Sequence, residues 1–220
     1  MNQENSRLFV GRVNASVLDY PPYICTVVFT PGCVFRCPFC FNKDIVLDET
    51  GVSYTASDIF AFLEDSNKGF NDRLVDAICI SGGEPLIHAD ALVSFCKCAH
   101  EQQYKVKIDT CLCGGDITKL LPYIDGVSVS LKAEDSFLDQ AVLNLSALNQ
   151  SSLAYKELRL ILTGENKNIL KDMYTKLLDD GTINAKAWSL YISLAQTVDN
   201  SFGTFTELST EQLIQLQYQQ

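Results

Sequence analysis

The chain has 220 residues, of which 47% are hydrophobic and 20% are charged, and its formal net charge is -10. This length allows one domain with a buried core, and the composition is not that of a disordered chain. The negative charge disfavours electrostatic binding to nucleic acid or to an anionic membrane surface, so a protein or small-molecule substrate is favoured.

The cysteine content and the distribution of apolar residues indicate the compartment. Nine cysteines, an odd number scattered along the chain, are typical of a reduced protein rather than of a disulfide framework. No apolar run reaches the length of a membrane span, and no charged-then-apolar leader begins the sequence. We therefore expect a cytoplasmic protein, and an oxygen-sensitive metal centre would favour an anaerobic host.

Apolar runs bounded by turn residues alternate with segments of helical period, which is typical of a parallel α/β sheet or barrel. Six strands are predicted, at Tyr23–Phe29, Asp76–Ile80, Tyr104–Asp109, Val127–Lys132, Lys156–Leu162 and Ala187–Leu194. Helices are predicted at Ala56–Glu64, Ala89–Gln102, Ile117–Leu121, Ser136–Leu148 and Asn168–Leu178.

We expect residues 1–220 to form a single domain. Residues 1–22 are predicted to be an N-terminal strand or hairpin extension, and residues 200–220 a linker followed by a last helix. Ser209 and Gln212 have the spacing of a capping box at the start of that helix.

Polar side chains alternate with apolar ones in the last four predicted strands. Because successive side chains of a strand point to opposite faces, the polar sets should share one face. These sets are Lys105, Lys107 and Asp109; Ser128, Ser130 and Lys132; Glu157 and Arg159; and Ser189, Tyr191 and Ser193. If the apolar faces meet the helices, the barrel has a polar lumen and a polar occupant. The alternative, an exposed face of an open sheet, is less favoured because parallel sheets are normally covered on both sides.

Three cysteines lie in one short loop, Thr30-Pro-Gly-Cys-Val-Phe-Arg-Cys-Pro-Phe-Cys-Phe41. A structural zinc site takes four protein ligands, whereas a cubane cluster held by three cysteines keeps one iron open for an outside ligand. Cys37 and Cys40 alone would also fit a thioredoxin-like redox motif or half of a zinc ribbon. Neither alternative explains Cys33, so the spacing favours chemistry at an open iron.

A second motif, Ser81-Gly-Gly-Glu-Pro85, follows directly on the predicted strand that ends at Ile80. Glycines at the carboxyl end of a strand permit close backbone approach at the edge where α/β proteins place their active sites. Backbone groups there can reach a small charged ligand. Taken alone, the motif would be explained equally well by a turn that starts a helix.

Together the two motifs resemble the signature of the radical S-adenosylmethionine superfamily. Within it, the chain is most similar to the anaerobic ribonucleotide reductase activating proteins, with the pyruvate formate-lyase activating enzymes as close relatives. The similarity runs from about residue 9 to residue 165. It rests on Gly11, Ser16–Pro21, Val27–Cys33, Ser81–Leu86, Val106–Thr110 and Val129–Ala133.

The resemblance implies a partial (β/α)6 TIM-like barrel of the radical SAM type, with a [4Fe-4S] cluster and S-adenosyl-L-methionine as cofactors. One electron from the cluster would cleave the sulfonium to methionine and a 5′-deoxyadenosyl radical. That radical would remove a hydrogen atom from a glycine of a partner glycyl-radical enzyme, anaerobic ribonucleotide reductase or a relative. A low-potential donor such as flavodoxin or ferredoxin would supply the electron.

The resemblance also implies roles for individual residues. The cluster ligands would be Cys33, Cys37 and Cys40. Gly82, Gly83 and Glu84 would hold the methionine amino group with the help of Asp109, while Lys132 and, more weakly, Arg159 would meet the carboxylate. Phe39 would pack near the adenine. Each single residue has a simpler alternative: Phe39 in the core, Asp109 as a turn cap and Lys132 as a solvated strand end.

The chain departs from the activating proteins after its third strand, where they usually carry Asn-Gly and it has Cys111-Leu-Cys-Gly-Gly115. Ser130 also replaces an acidic residue. Cys111 and Cys113 are candidates for a redox pair, an extra metal ligand or a hydrogen-atom relay, or they are small buried residues.

Two other hypotheses stay open. One is a superfamily member acting on a small molecule or peptide, and the other a non-catalytic metal or redox module built on Cys37, Cys40, Cys111 and Cys113.

Overall fold

The structure is a computed structural model that describes residues 7–132, 138–199 and 201–217. Strands in these ranges are Phe9–Val10 (β1), Asn14–Ser16 (β2), Cys25–Thr30 (β3), Ser53–Tyr54 (β4), Ala77–Gly82 (β5), Lys105–Thr110 (β6), Gly126–Leu131 (β7), Tyr155–Leu162 (β8) and Ser189–Leu194 (β9). The α-helices are Lys43–Leu47 (α1), Ala56–Ser66 (α2), Ala89–Glu101 (α3), Leu138–Gln150 (α4), Lys167–Asp179 (α5) and Thr210–Gln217 (α6).

Six parallel strands form the body of the sheet, in the order β3, β5, β6, β7, β8 and β9. They confirm the six predicted strands, with ends that differ by at most two residues. β2 pairs antiparallel with β3 at one edge, and β9 is the opposite edge, so the sheet stays open. Because the six strands are parallel, their carboxyl ends lie along one side of the sheet, as in a partial barrel.

The two faces of the sheet are covered differently. Val106, Ile108 and Val127 belong to the main hydrophobic core, together with buried residues of the helices such as Leu92 and Leu145. On the opposite face, a smaller buried cluster contains Tyr20, Cys25, Val27, Phe29 and Cys79. The predicted assignment of apolar faces to the helical layer is confirmed for these strands.

One predicted helix is wrong in type. The segment Ile117–Leu121 contains a 3-10 turn at Ile117–Lys119, and a second 3-10 turn follows at Leu121–Tyr123. Pro122 has no N–H for an α-helical bond to the residue four before it, so the two short turns do not merge. α1 was not predicted, because five residues are too few to show a helical period.

The terminal segments pack onto the sheet through several short elements. β1 pairs with β4, while β2 pairs with β3, so the two N-terminal strands do not form a hairpin with each other. The predicted capping box is confirmed, since Ser209 N donates to Gln212 Oε1 at 2.8 Å and Gln212 N donates to Ser209 Oγ at 3.3 Å. The predicted starts at Ser136 and Asn200, and residues 1–6 and 218–220, lie outside the described residues. None of the described helices is both long and apolar enough to cross a bilayer.

Asn144 ties α4 to the loop that follows β6. Its Nδ2 donates to the carbonyl oxygens of Leu112 and Gly115, both at 2.9 Å, and its Oδ1 accepts from the backbone N–H of Ile117 at 3.2 Å. The side chain is buried, with 1% of its surface exposed. Asn144 therefore satisfies backbone groups of a loop that has no sheet partner of its own.

We expect Asn144→Ala to lower the free energy of unfolding by about 2–4 kcal/mol, because it leaves buried backbone groups without partners. Urea denaturation followed by circular dichroism measures this change. Gln140→Ala, at an exposed position of the same helix, is the matched control and should change the free energy by less than about 0.5 kcal/mol. Equal effects of the two substitutions would contradict the anchoring role of Asn144.

Candidate active site

The cysteine loop and the Gly-Gly-Glu loop leave neighbouring strands, because β3 and β5 pair with Thr30 opposite Gly82. Gly82 has φ +129°, and a Cβ there would lie 2.3 Å from Thr30 O. A Cβ on Gly83 would lie 1.7 Å from Gly32 O. Glycine is therefore required at both positions because the backbone of the cysteine loop lies so close. The sequence suggests instead that glycine is needed here to let the backbone approach a ligand.

Two backbone hydrogen bonds join the loops at this contact. Gly83 N donates to Thr30 O at 3.0 Å, and Glu84 N donates to Gly32 O at 2.8 Å. On the other side of the cysteine loop, Gly32 N donates to Ile45 O at 3.0 Å. The segment that precedes Cys33 is thus held between β5 and α1 before any ligand binds.

A cavity of about 670 Å³ opens at the carboxyl ends of the strands. Residues from the loops after β3, β5 and β6, and from the ends of β7 and β8, line it. The sequence-predicted site residues in this lining are Cys33, Cys37, Phe39, Cys40, Gly82, Gly83, Glu84, Asp109, Cys111, Lys132 and Arg159. Cys113 does not line it, and instead faces a smaller cavity beside Ala141, Leu145 and Met173.

The three loop cysteines are half-buried thiols, and none of the nine cysteines, which all lie in the described ranges, forms a disulfide. Burial raises the pKa of Cys33 to about 11 and also raises the pKa of Cys40. The thiols of Cys33 and Cys40 are therefore protonated at neutral pH in the metal-free chain, and they would release their protons when they bind iron.

The donor set fits a cubane cluster better than a single ion. Within the described ranges, no three His, Cys, Asp or Glu side chains come close enough together to hold one metal ion. A cubane cluster does not need such convergence, because its cysteines bind different iron atoms. Three thiols on one loop, facing one cavity, meet that requirement and leave the fourth iron for an outside ligand.

Glu84 lies at the wall of this cavity with only 1% of its surface exposed. Its carboxylate accepts hydrogen bonds from Leu86, Thr110 and Cys111. None of the ion pairs in the described part of the chain includes Glu84. Burial raises the pKa of this carboxyl above its ordinary value. A cation bound in the cavity would therefore be favoured by this unpaired buried charge.

The Cys111 thiol is also engaged, because it donates to the Glu84 carboxylate. Hydrogen bonding with Cys113, burial and the negative charge of Glu84 raise the pKa of Cys111. A protonated donor of this kind is a poor metal ligand. The arrangement gives no support to a four-cysteine site that combines Cys37 and Cys40 with this pair.

The predicted polar lumen is confirmed at β6 and β8, where a chain of charged groups reaches the cavity, whereas the polar set predicted on β9 lies on an exposed strand. Lys107 Nζ lies 2.6 Å from Asp109 Oδ1, and Arg159 Nη1 lies 3.7 Å from Asp109 Oδ2. Arg159 also pairs with Glu157, which accepts a hydrogen bond from the Tyr155 hydroxyl at 2.5 Å. Asp109 is thus held between two cations of the chain rather than capping a turn.

Lys107 is a residue of the charged chain that the sequence does not predict as a site residue. The structure shows that its side chain is fully buried. Burial lowers the pKa of its ammonium group, but the neighbouring Asp109 carboxylate, together with Cys79, offsets this, and the pKa is raised above its ordinary value. Strand alternation placed Lys105, Lys107 and Asp109 on one face, yet Lys105 is exposed and pairs with Asp125. The alternation gives the face of a residue but not its depth, so the pattern could not separate the two lysines.

Residues far apart in the sequence hold the outer side of the cysteine loop. The Phe39 ring packs edge-on against Phe205, with centroids 5.8 Å apart, and Lys132 Nζ lies 5.6 Å from the Phe39 centroid. Lys43 Nζ lies 2.5 Å from Asp199 Oδ1. We call residues 195–199 and 201–207 the C-terminal strap, a segment that the sequence indicates only in part, as a linker.

Comparison with known proteins supports the cluster. A protein-family model described as a 4Fe-4S single cluster domain matches residues 23–153. A protein of Methanocaldococcus jannaschii named as a glycyl-radical enzyme activating enzyme is 36% identical over 103 residues, covering 47% of this chain and 40% of the relative. The pyruvate formate-lyase-activating enzyme of Listeria monocytogenes is 32% identical over 117 residues, covering 53% and 46%. The chain thus spans less than half the length of these relatives.

Two solved structures share the fold. SuiB of Streptococcus suis, bound to S-adenosylmethionine, superposes with a TM-score of 0.59 at 17% identity, covering 87% of this chain and 47% of SuiB. TYW1 with a lysine-pyruvate adduct bound gives a TM-score of 0.53 at 16% identity, covering 87% and 71%. Identities this low show the fold alone, and the shared fold confirms the predicted partial barrel.

We expect Lys107→Met to lower the free energy of unfolding by about 3–5 kcal/mol, because it leaves the largely buried Asp109 without its closest cation. Lys105→Met makes the same change two residues away on the same strand face. There the side chain is 47% exposed, so the loss should stay below about 1 kcal/mol. Chemical denaturation of both variants measures the difference, and similar losses would contradict a special role for the buried pair.

Proposed function

Because the chain belongs to the family of 4Fe-4S single cluster domains, we propose that it is a radical S-adenosylmethionine enzyme of the glycyl-radical-enzyme activating type. The observation that carries this proposal is that the three cysteines of one loop and the Gly-Gly-Glu loop line the same cavity. When bound together, the cluster and S-adenosyl-L-methionine supply a one-electron cleavage of the sulfonium that yields a 5′-deoxyadenosyl radical. The task of the chain's own residues is to hold the cluster and S-adenosyl-L-methionine in place.

Cys33, Cys37 and Cys40 would hold the cluster in this proposal. S-adenosylmethionine carries an ammonium group and a carboxylate at its methionine end, and the cavity wall offers both signs of charge. The backbone of the Gly-Gly-Glu loop, with the negative charges of Glu84 and Asp109 nearby, suits the ammonium group. Lys132 and Arg159 suit the carboxylate, and the Phe39 ring would lie near the adenine.

We further propose that the hydrogen atom comes from the α-carbon of a glycine in a partner protein. Relatives of this chain are named as activating enzymes of glycyl-radical enzymes. The sheet is open between β2 and β9, which leaves room for a segment of a large partner at the lumen. From the motif resemblance, anaerobic ribonucleotide reductase or a relative would be that partner.

The same proposal covers the surroundings of the enzyme. A low-potential donor such as flavodoxin or ferredoxin would reduce the cluster, in a reducing and anaerobic cytoplasm. The nine thiols without a disulfide are consistent with that compartment. Residues 1–220 would act as one radical S-adenosylmethionine domain.

Anaerobic reconstitution with iron and sulfide, followed by reduction and addition of S-adenosylmethionine, should give methionine and 5′-deoxyadenosine, measured by liquid chromatography. A variant with Cys33, Cys37 and Cys40 all changed to Ala should fall to the level of a protein-free control, because it cannot hold the cluster. Cys98→Ala, a cysteine of α3 outside the cavity lining, is the matched control and should keep native turnover. Loss of the product from the native chain despite a formed cluster would contradict the proposal.

The proposed partner is tested by electron paramagnetic resonance. Incubation of the reduced enzyme and S-adenosylmethionine with purified anaerobic ribonucleotide reductase should produce a carbon-centred radical signal split by the remaining α-hydrogen. A partner variant with alanine at the radical glycine should give no such signal. Production of 5′-deoxyadenosine with no radical on this partner, but with one on pyruvate formate-lyase, would reassign the partner. Product with no radical on either protein would favour a small-molecule or peptide substrate.

A further inference from the structure

The Glu84 carboxylate accepts four hydrogen bonds, three of which link the loop after β5 to the end of β6. Oε1 accepts from the Leu86 N–H at 2.9 Å and from the Thr110 hydroxyl at 2.5 Å. Oε2 accepts from the Cys111 N–H at 2.7 Å and from the Cys111 thiol at 2.6 Å. Both donors at Oε2 therefore come from one residue, and among the described residues its side chain is one of two that donate to this carboxylate.

Glu84 passes this constraint to the cavity through the backbone. Its N–H is bound to Gly32 O, and the preceding Gly83 N–H is bound to Thr30 O. A Cβ on Gly83 would lie 3.2 Å from the Cys33 Cβ, so these loops leave little slack between them. A shift of the Glu84 side chain would therefore move the backbone that borders the cluster ligands.

The loop that carries Cys111 is itself rigidly held. Leu112 has φ +64°, a conformation that is strained for a residue with a branched side chain, and it is fully buried. Its N–H donates to Thr110 Oγ1 at 2.8 Å, and its carbonyl accepts from Asn144. A Cβ on Gly115 would lie 2.0 Å from Leu86 O. The surrounding contacts thus fix the Cys111 thiol in place before any ligand arrives.

We propose that Cys111 is a positioning residue for the ligand of the cavity. Its thiol and its N–H hold the Glu84 carboxylate, and Glu84 in turn holds the adjoining Gly82–Gly83 backbone beside the cavity, where a cationic amino group would bind. The identity of that ligand as S-adenosylmethionine rests on the proposed function. Cys111 acts through Glu84, so its role differs from the redox pair, metal ligand and hydrogen-atom relay considered from the sequence.

The test compares Cys111→Ala, which removes the side-chain donor, with Cys111→Ser, which keeps one. Isothermal titration of the cluster-loaded proteins with S-adenosylmethionine should show about tenfold weaker binding for Cys111→Ala, equivalent to about 1.4 kcal/mol. Cys111→Ser should stay within about threefold of the native affinity. In turnover, KM for S-adenosylmethionine should rise for Cys111→Ala while kcat at saturation changes less. Cys96→Ala, a buried cysteine on α3, is the matched control and should bind normally.

Native affinity in Cys111→Ala, or an equal loss in Cys111→Ser, would overturn the positioning role, and so would an equal loss in Cys96→Ala. The hydrogen bond itself is tested without ligand by infrared spectroscopy. The S–H band that disappears in Cys111→Ser should lie at lower frequency than the band that disappears in Cys96→Ser, and an unshifted band would overturn the proposal. Failure of the native protein to bind S-adenosylmethionine would instead overturn the proposed function, so the two failures are distinguishable.

Discussion

The site depends on two stretches of backbone that touch without side chains between them. Thr30 and Gly32 leave β3 beside Gly82 and Gly83, which leave β5, and amide groups of one stretch bond to carbonyl groups of the other. A methyl group on Gly82 or on Gly83 would overlap backbone oxygen atoms of the first stretch. Hydrogen bonds between the parallel strands β3 and β5 set the register of the two strands. The separation of the cysteine loop and the Gly-Gly-Glu loop is therefore a property of the sheet. The proposed chemistry at an open iron would require that separation to be constant.

A second constraint is electrostatic. The lumen holds Lys107, Asp109, Glu157 and Arg159 in alternating signs, while Glu84 near its mouth has hydrogen bonds but no cation among the described residues. The charges of these four residues are thus compensated by one another, whereas the Glu84 charge is compensated only by the dipoles of its hydrogen-bond donors. A ligand with a positive group meets an environment already arranged for it, which reduces the reorganisation that binding requires.

The sequence was sufficient to predict the six parallel strands, because each is an apolar run bounded by turn residues, and a 4Fe-4S cofactor, because the spacing of the three cysteines is specific. It was insufficient where depth or distant contacts decide. Lys105 and Lys107 look alike in the pattern, but one reaches solvent and the other the lumen. Cys111 was recognised as unusual, yet its partner Glu84 lies in another motif and is brought to it by strand pairing. Likewise, Phe205 meets Phe39 and Asp199 meets Lys43 only through the fold.

The C-terminal strap has a consequence for how the protein is made. Lys43, just after the cysteine loop, bonds to Asp199, which is 156 residues further along the chain. At a synthesis rate of about 5–20 residues per second, that separation corresponds to roughly 8–30 seconds on the ribosome. Throughout this interval the nascent chain presents its three thiols without the strap. Cluster loading during translation would therefore meet a loop whose outer side is not yet held, while repair of a lost cluster in the finished protein would meet a loop already held by Phe205 and, through Lys43, by Asp199.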